Sequence, residues 1–390
     1  MRKFSFGSLR AVLLPALSFL MAMIIGGLLI AFSDSEALKK ISHPLEFLKI
    51  AGAAVGNSYL ALFHGSIYNP NLVEPGHPLL AFYPLSETLV AAAPLILAGL
   101  SVALAFRAGL FNIGAQGQFT FGAIAAAYVG FHFDLPIALH VILAMIAGVV
   151  AAAIWGGAVG LLKARTGAHE VIVTIMLNYV ALYFLMWILS TKAFLRPGRA
   201  DPIAPEVRDS ARLPRLFGSD FRITISIFIA LLAALFVWWL LSRSTWGFRF
   251  RAVGANAAAA ETAGISVPFV MTAAMAIAGA LAGLGGAVRV LGSDFALTSG
   301  TAGNFGFDAI TVALLGRAQP LGTVFASILF GALRAGGGTM QANTNTPIDI
   351  ILVIQALVVL FIAAPTVNRK IFRLKELKSS SALVSKGWNG

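Results

Sequence analysis

Long runs without a charged residue limit the fold of this chain more than any other feature. A helix of roughly 20 apolar residues crosses a bilayer, whereas a strand of a membrane barrel needs only about 10. The runs in this sequence are of the longer kind. Since backbone amides in lipid must be paired within a helix or a closed barrel, the sequence predicts an all-α, polytopic transmembrane helical bundle.

About ten spans are predicted, with nine or eleven as the alternatives. Asp308 and Arg317 interrupt the pattern between Phe305 and Arg334, where we expect two short or broken spans, the better one at 318–333. The other eight runs cover residues 11–32, 88–106, 110–133, 135–162, 171–191, 223–242, 262–288 and 350–368.

The run at 11–32 is interpreted as a retained first helix. Its 22 residues exceed the roughly 7–15 of a signal-peptide core. Cleavage after Ser33 is the alternative.

Composition agrees with a membrane location. The chain is 58% hydrophobic and 11% charged, whereas a soluble domain carries roughly 25% charged residues. A net charge of +12 would be typical of a nucleic-acid partner in a soluble protein. Here Lys and Arg lie between the apolar runs and indicate topology instead, so no nucleic-acid partner is expected.

The positive-inside rule predicts that both termini are cytoplasmic. The loop at 192–222 fits less well, because it holds seven basic and four acidic residues yet is predicted to lie outside. With ten spans, the inner side carries Arg2, Lys3, Arg10, Arg107, Lys163, Arg165, Arg243, Arg249, Arg251, Arg317, Arg369, Lys370, Arg373, Lys375, Lys378 and Lys386.

The long segment at 33–86 is predicted to lie outside as well. Leu45, Leu48 and Val55 recur at near-helical spacing. This pattern favours a helix lying at the membrane interface, with an ordinary loop helix as the alternative.

Small residues recur inside the spans at a spacing of four. Gly156 and Gly160 form one such pair, and Gly279 and Gly283 form another. This spacing predicts close approach of helix backbones in lipid, a property shared by channels, carriers and membrane enzymes.

The sequence lacks the motifs that mark metal sites, phosphate-binding sites and catalytic nucleophiles. It has no cysteine, no paired-histidine metal motif, no phosphate-binding loop and no nucleophile elbow, so neither a metal site nor an enzyme is predicted. Carboxylates within the spans are rare. An ion-coupled secondary transporter of small polar solutes, the alternative function, would usually need them. Energy for moving a solute would therefore come from another subunit.

Neutral polar residues at membrane depth are the candidates for a solute pathway. Asn112, Gln116 and Gln118 lie in a glycine-rich stretch that favours a helix break, and Asn178 lies in the middle of the fifth predicted span. Backbone freed by a break must be buried or line a cavity. The alternative is that these side chains form hydrogen bonds that only hold the bundle together.

The predicted inner loop at 243–266 contains an alanine-rich stretch. Asn256 is a good N-cap for a short helix, and Gly264 is a good C-terminal stop. This pattern favours a small helix on the cytoplasmic face that docks on a partner protein, and a plain connecting loop is the alternative.

At this loop the sequence resembles a known family. The run RAVGANAAAAETAGI (251–265) is similar to the coupling-loop signature of ABC importer permeases in the branched-chain amino acid and ribose permease superfamily, and nearest to nucleoside and simple-sugar permeases. Four further matches cover residues 94–118, 170–182, 306–322 and 329–337. The sequence departs from the family pattern at Gln116, where Glu is usual, at His169, and at Ala318 and Gln319.

The resemblance implies a single permease domain over 1–390, with a periplasmic segment at 33–86 and a basic cytoplasmic tail at 369–390. It implies a bacterial cytoplasmic (inner) membrane location. The expected partners are an ABC ATPase subunit, a second permease in a homo- or heterodimer, and a periplasmic or lipid-anchored solute-binding protein.

The resemblance also implies how the chain works. No cofactor is expected in this chain, since ATP and Mg bind the ATPase. A neutral solute is expected, with a nucleoside first and a simple sugar second. The ATPase-coupling residues implied by the resemblance are Arg251, Gly254, Asn256, Ala260 and Gly264.

Overall fold

The computed structural model describes residues 6–344 and 346–363, and the side chains of residues 16–344 and 346–361. The described residues form helices and contain isolated β-bridges but no strand. They divide into two compact units. One comprises the residues up to Thr88 together with those from Leu329 onward, and the other comprises Leu89–Ile328. The predicted tail at 369–390 lies outside the described residues.

Fourteen α-helices follow one another along the described chain, and a π-helical turn at Val290–Asp294 extends the eleventh. In order they are α1 Phe6–Ser33, α2 Ser35–Lys39, α3 Pro44–Ser66, α4 Tyr83–Arg107, α5 Ala115–His132, α6 Ile137–Thr166, α7 Glu170–Leu189, α8 Ser226–Arg243, α9 Thr245–Ala255, α10 Ala257–Thr262, α11 Val267–Arg289, α12 Phe305–Leu315, α13 Pro320–Thr344 and α14 Asp349–Ala363.

Seven of the described helical segments are long and apolar enough to cross a membrane. They correspond to α1, α4, α6, α7, α8, α11 and α13, and α12 and α14 are apolar but shorter. The eighteen residues of α5 include Gln116, Gln118 and Thr120, which lower its apolar character. The all-α membrane bundle is therefore confirmed, whereas the count of ten spans and the cytoplasmic termini stay predictions.

In the first unit, the predicted helix of the 33–86 segment is α3. Ala51, Ser58 and Leu62 are among its buried residues, whereas Leu45 is 85% exposed. The hydroxyl of Tyr59 donates to the backbone oxygen of Met23 in α1, and burial raises the pKa of Tyr59 to about 12. One face of α3 is thus packed on protein. Its position at a membrane interface stays a prediction.

In the second unit, α5, α6 and α11 pack together through their glycines. A Cβ atom added at Gly156 would overlap the backbone of Met275, and one at Gly283 would overlap the side chain of Ala152. On α5, Gly122 lies directly against Gly283. The predicted close packing of small residues is confirmed, because these helices touch backbone to backbone.

The basic loop at 192–222 is ordered against the end of α11. Backbone amides of Ala204, Val207 and Leu213 donate to the carbonyls of residues 297, 295 and 291, at 2.9, 2.8 and 2.9 Å. The loop therefore lies at the same end of this unit as the π-helical turn.

Much of the positive charge of this loop is neutralised locally. Arg208 pairs with Asp134 of the α5–α6 connection at 2.8 Å, and Arg212 pairs with Glu206 at 3.2 Å. Arg199 pairs with Asp201 at 2.7 Å, and its guanidinium holds the pKa of Asp201 below the usual range. These ion pairs hold the loop together, and its outer location stays a prediction.

Two adjacent glycines of α6 test the close packing. Gly156→Ala forces a methyl group into the backbone of α11, and overpacking of this kind destabilises by about 1–3 kcal/mol. We expect a lower unfolding temperature in detergent. Gly157→Ala is the matched control, because its Cβ would lie 3.5 Å from Ala276 in ordinary contact. Equal unfolding temperatures for the two variants would contradict the packing.

Candidate functional site

The chain breaks its helical path between α4 and α5. Residues 108–114 are not helical, and Gly109 has a φ of +73°, which a residue with a side chain rarely adopts. The amides of Ala108 and Leu110 both donate to the carbonyl of Ala105 at 3.0 Å, closing a tight turn. The break predicted from the glycine-rich stretch is confirmed.

Asn112 and Gln118 form a closed pair at this break. The Asn112 Nδ2 donates to Gln118 Oε1 at 2.9 Å, and the Gln118 Nε2 donates to Asn112 Oδ1 at 3.2 Å. Asn112 also donates to the Ser101 hydroxyl at 3.2 Å. Both amide side chains are fully buried. Since an unpaired buried amide is costly, the pair fixes the first turn of α5 against the break.

Asn178 of α7 binds the same break from outside. Its Oδ1 accepts from the Gly117 amide at 2.8 Å, and its Nδ2 donates to the Ile113 carbonyl at 2.9 Å. One side chain thus satisfies a donor and an acceptor that the missing helical turn leaves free. Asn178 joins α7 to the start of α5.

Gln116 connects α5 to the start of α12. Its Nε2 donates to the Gly303 carbonyl at 2.7 Å, and its Oε1 accepts from the Gly306 amide at 2.7 Å. A Cβ atom at Gly306 would overlap the Gln116 backbone, so the two segments touch closely. The amide both donates and accepts, which an ionised carboxylate cannot do.

The structure therefore brings all four candidate pathway residues to one region. Each of their side-chain amides forms hydrogen bonds with other groups of this chain. This arrangement fits the alternative interpretation, in which they hold the bundle together. Their role in a solute pathway stays a prediction. Gln116 is the least buried of the four.

Sequence reasoning missed an aromatic stack beside Gln116. Phe119 of α5 stacks on Phe305 of α12, with 5.3 Å between the ring centroids. The guanidinium carbon of Arg289 also lies over the Phe305 ring, 5.3 Å from its centroid. Arg289 is held by Asp294 at 2.9 Å. No short motif marks these residues, because they meet only after α5, α11 and α12 have packed.

The predicted cytoplasmic segment consists of two helices, α9 and α10. The side-chain oxygen of Asn256 accepts from the Ala259 amide at 3.0 Å, so the predicted N-cap is confirmed. Gly264 has a φ of +80° and ends the segment as predicted. Basic residues 249 and 251 lie within α9, whereas the sequence had placed only the alanine-rich part in a helix.

The five coupling candidates differ in exposure. Arg251, Gly254, Asn256 and Gly264 are exposed. Ala260 is 4% exposed and faces the core, so it can position α10 but offers little surface to a partner. The neighbouring Ala258, Ala259 and Glu261 are exposed instead, and sequence spacing alone did not separate them from Ala260.

Gly254 packs on the turn that ends α4. A Cβ atom at Gly254 would lie 2.6 Å from the Arg107 carbonyl oxygen and 2.8 Å from the Gly109 nitrogen. These distances are too short for a real side chain. Gly254 is therefore required for close contact between α9 and the Arg107–Gly109 turn.

The turn between α12 and α13 contains two residues in left-handed backbone. Arg317 has a φ of +54° and Ala318 a φ of +49°. Each non-glycine residue in this region costs about 1–2 kcal/mol. The Arg107 Nε donates to the Ala318 carbonyl at 2.9 Å, so this strained turn is held by the last residue of α4.

Gln116→Glu tests the hydrogen bonds of Gln116. A neutral Glu can donate to the Gly303 carbonyl, whereas an ionised one places a carboxylate oxygen against it. The hydrogen bond is therefore kept while the new carboxyl is protonated and is lost when it ionises. We expect the unfolding temperature, relative to the unaltered chain, to fall between pH 5 and pH 8.

Gln341→Glu is the control for this experiment, because Gln341 is exposed. Its unfolding temperature should follow that of the unaltered chain. The same pH dependence in both variants would contradict the assignment of the Gln116 hydrogen bonds.

Among residues 6–344 and 346–363, no group of three His, Asp or Glu side chains could hold a metal ion.

Comparison with known proteins identifies the family. Residues 85–363 match the family described as branched-chain amino acid transport system, permease component. The guanosine ABC transporter permease protein NupP of Bacillus subtilis is 38% identical over 338 residues, which are 85% of this chain and 92% of that protein.

Two further relatives are similar over most of their length. The nucleoside ABC transporter permease protein NupB of Lactococcus lactis is 36% identical over 78% of this chain and 85% of its own. The glucose ABC transporter permease protein TsgB13 of Haloferax volcanii is 34% identical over 80% of this chain and 84% of its own. With its apolar helices and these matches, the chain belongs to the permease-component family and is a multi-pass membrane subunit of an ABC transporter, not itself an enzyme.

Proposed function

We propose that this chain is the permease subunit of a bacterial ABC importer for nucleosides, located in the cytoplasmic (inner) membrane. The observation that carries the proposal is its 38% identity to a guanosine permease across 92% of that protein's length. The nucleoside permease from a second organism supports the same solute class.

The chemistry of the candidate site is compatible with a neutral solute. Amide side chains can bind ribose hydroxyls and base edges, whereas an anionic solute would need Lys or Arg at the same depth. In the structure these amides are bonded within the protein. A pathway role therefore requires that an amide exchange an internal partner for the solute during transport, and we assign this first to Gln116, whose two bonds lie at a segment junction.

A simple sugar is the second candidate. The similarity to the glucose permease supports it. Ribose and glucose both offer hydroxyl groups that alternate as donors and acceptors. Amides bind such groups, so the four candidate residues do not by themselves separate a nucleoside from a sugar.

The ATPase subunit is proposed to bind the exposed face of α9 and α10. The segment exposes Arg251, Asn256 and Gly264, and the small exposed side chains of Ala258 and Ala259 leave room for a partner groove. ATP and Mg would bind the ATPase, and this chain would need no cofactor. A second permease would complete the pore, and a periplasmic or lipid-anchored binding protein would deliver the solute.

Uptake distinguishes the two solute classes. Proteoliposomes holding the complete complex and internal ATP are expected to accumulate radiolabelled guanosine. An excess of unlabelled uridine should compete more strongly than glucose. Accumulation of labelled glucose that guanosine does not inhibit would establish the sugar instead, and uptake of either solute without ATP would contradict an ABC importer.

A bulky substitution tests the docking face. Ala259→Trp on the exposed side of α10 should weaken binding of the ATPase subunit without unfolding the bundle, because the Ala259 side chain is exposed. Copurification of the ATPase with the tagged permease is the measurement. Ala138→Trp, at an exposed position near the start of α6, is the matched control. Normal ATPase recovery with Ala259→Trp would refute this face as the docking site.

A further inference from the structure

We infer that Arg107 is a positioning residue that connects the α9–α10 segment to the α12–α13 turn and so couples ATP hydrolysis to movement of α12. The inference rests on the proposed function. It depends on a series of contacts within residues 89–328, and it gives Arg107 a mechanical role in addition to its predicted place among the inner basic residues.

The first contact joins the cytoplasmic segment to the end of α4. Gly254 of α9 and Gly109 face each other without side chains, and a Cβ atom on Gly109 would lie 2.8 Å from the Gly254 Cα. Backbone in direct contact has no flexible side chain to absorb a displacement. A shift of α9 is therefore transmitted to the Arg107–Gly109 turn.

The second contact joins that turn to the loop after α12. The Nε of Arg107 donates to the carbonyl of Ala318 at 2.9 Å, and both Arg317 and Ala318 are held in left-handed backbone. A strained turn persists only when its surroundings fix it. Loss of the Arg107 hydrogen bond would allow this turn to relax. The turn can therefore adopt two arrangements, a strained one with the bond and a relaxed one without it.

Tight packing carries the movement of the turn into the α12–α13 pair. A Cβ atom at Gly316 would overlap the backbone of Thr323, so the end of α12 and the start of α13 are in direct contact. Both helices also pack on α4, where a Cβ at Gly99 would lie 2.7 Å from the side chains of Val312 and Thr323.

The other end of α12 is where Gln116 binds. Its bonds to Gly303 and Gly306 hold the start of that helix. A displacement at Ala318 therefore reaches, through the eleven residues of α12, the side chain that we assign to the solute pathway.

The coupling ratio tests this inference. In proteoliposomes with the ATPase and binding-protein subunits, Arg107→Gln should lower guanosine transported per ATP hydrolysed by about fivefold or more, while the ATPase still copurifies. Arg165→Gln is the matched control. It removes an exposed arginine in the last turn of α6, outside this series of contacts, and should leave the ratio unchanged. Unfolding temperatures of both variants show whether a loss is due to folding.

A double-mutant cycle separates transmission from a structural role. Gly254→Ala should also lower the ratio, because its methyl group presses on the Arg107 carbonyl. If both residues act in one series of contacts, the double variant should be no worse than the poorer single variant. Effects that multiply, or a normal ratio in Arg107→Gln, would overturn the inference while leaving the importer intact. If the unaltered complex shows no ATP-dependent uptake, the proposed function fails, and the inference fails with it.

Discussion

Backbone contact between glycines of α5, α6 and α11 is the constraint on which the second unit depends. In lipid, apolar side chains gain nothing from leaving water, so helices associate through close packing and hydrogen bonds. Gly122, Gly148 and Gly283 bring the three helices together so closely that a Cβ atom on any of them would meet another helix. With these three helices fixed, the start of α5 has a defined position against which α7 and α12 can be placed.

The polar side chains at the start of α5 depend on that position. Asn112 and Gln118 satisfy each other, and Asn178 satisfies backbone groups of the break. Interhelical hydrogen bonds in membrane proteins contribute only about 0.6 kcal/mol each on average, so they do not by themselves assemble the bundle. Their effect is to select one arrangement of a non-helical segment that would otherwise leave amides unpaired in lipid. A solute that competes for Gln116 would act on this arrangement directly.

Features that depend on residues close together in the chain could be predicted from the sequence, whereas contacts between distant residues could not. The uncharged runs, the break near Gly109, the N-cap at Asn256 and the stop at Gly264 are local or periodic features, and the structure confirms them. Phe119 and the Phe305 on which it stacks are 186 positions apart in the chain (305 − 119). Arg107 and its partner Ala318 are 211 positions apart (318 − 107). No local sequence pattern encodes either contact. The inward orientation of Ala260 likewise depends on how α10 packs, which alanine spacing alone does not reveal.

The contact between Gly109 and Gly254 also bears on how such a protein can change over time. Most crowded contacts can be repaired by a smaller residue on the opposite side. Here both sides already lack a side chain, so no smaller residue exists, and Gly109 also needs its positive φ. A substitution at either position could be accommodated only by moving a whole helix. The Arg107–Gly109 turn and the end of α9 would therefore be expected to diverge from relatives together, as one unit, or not at all.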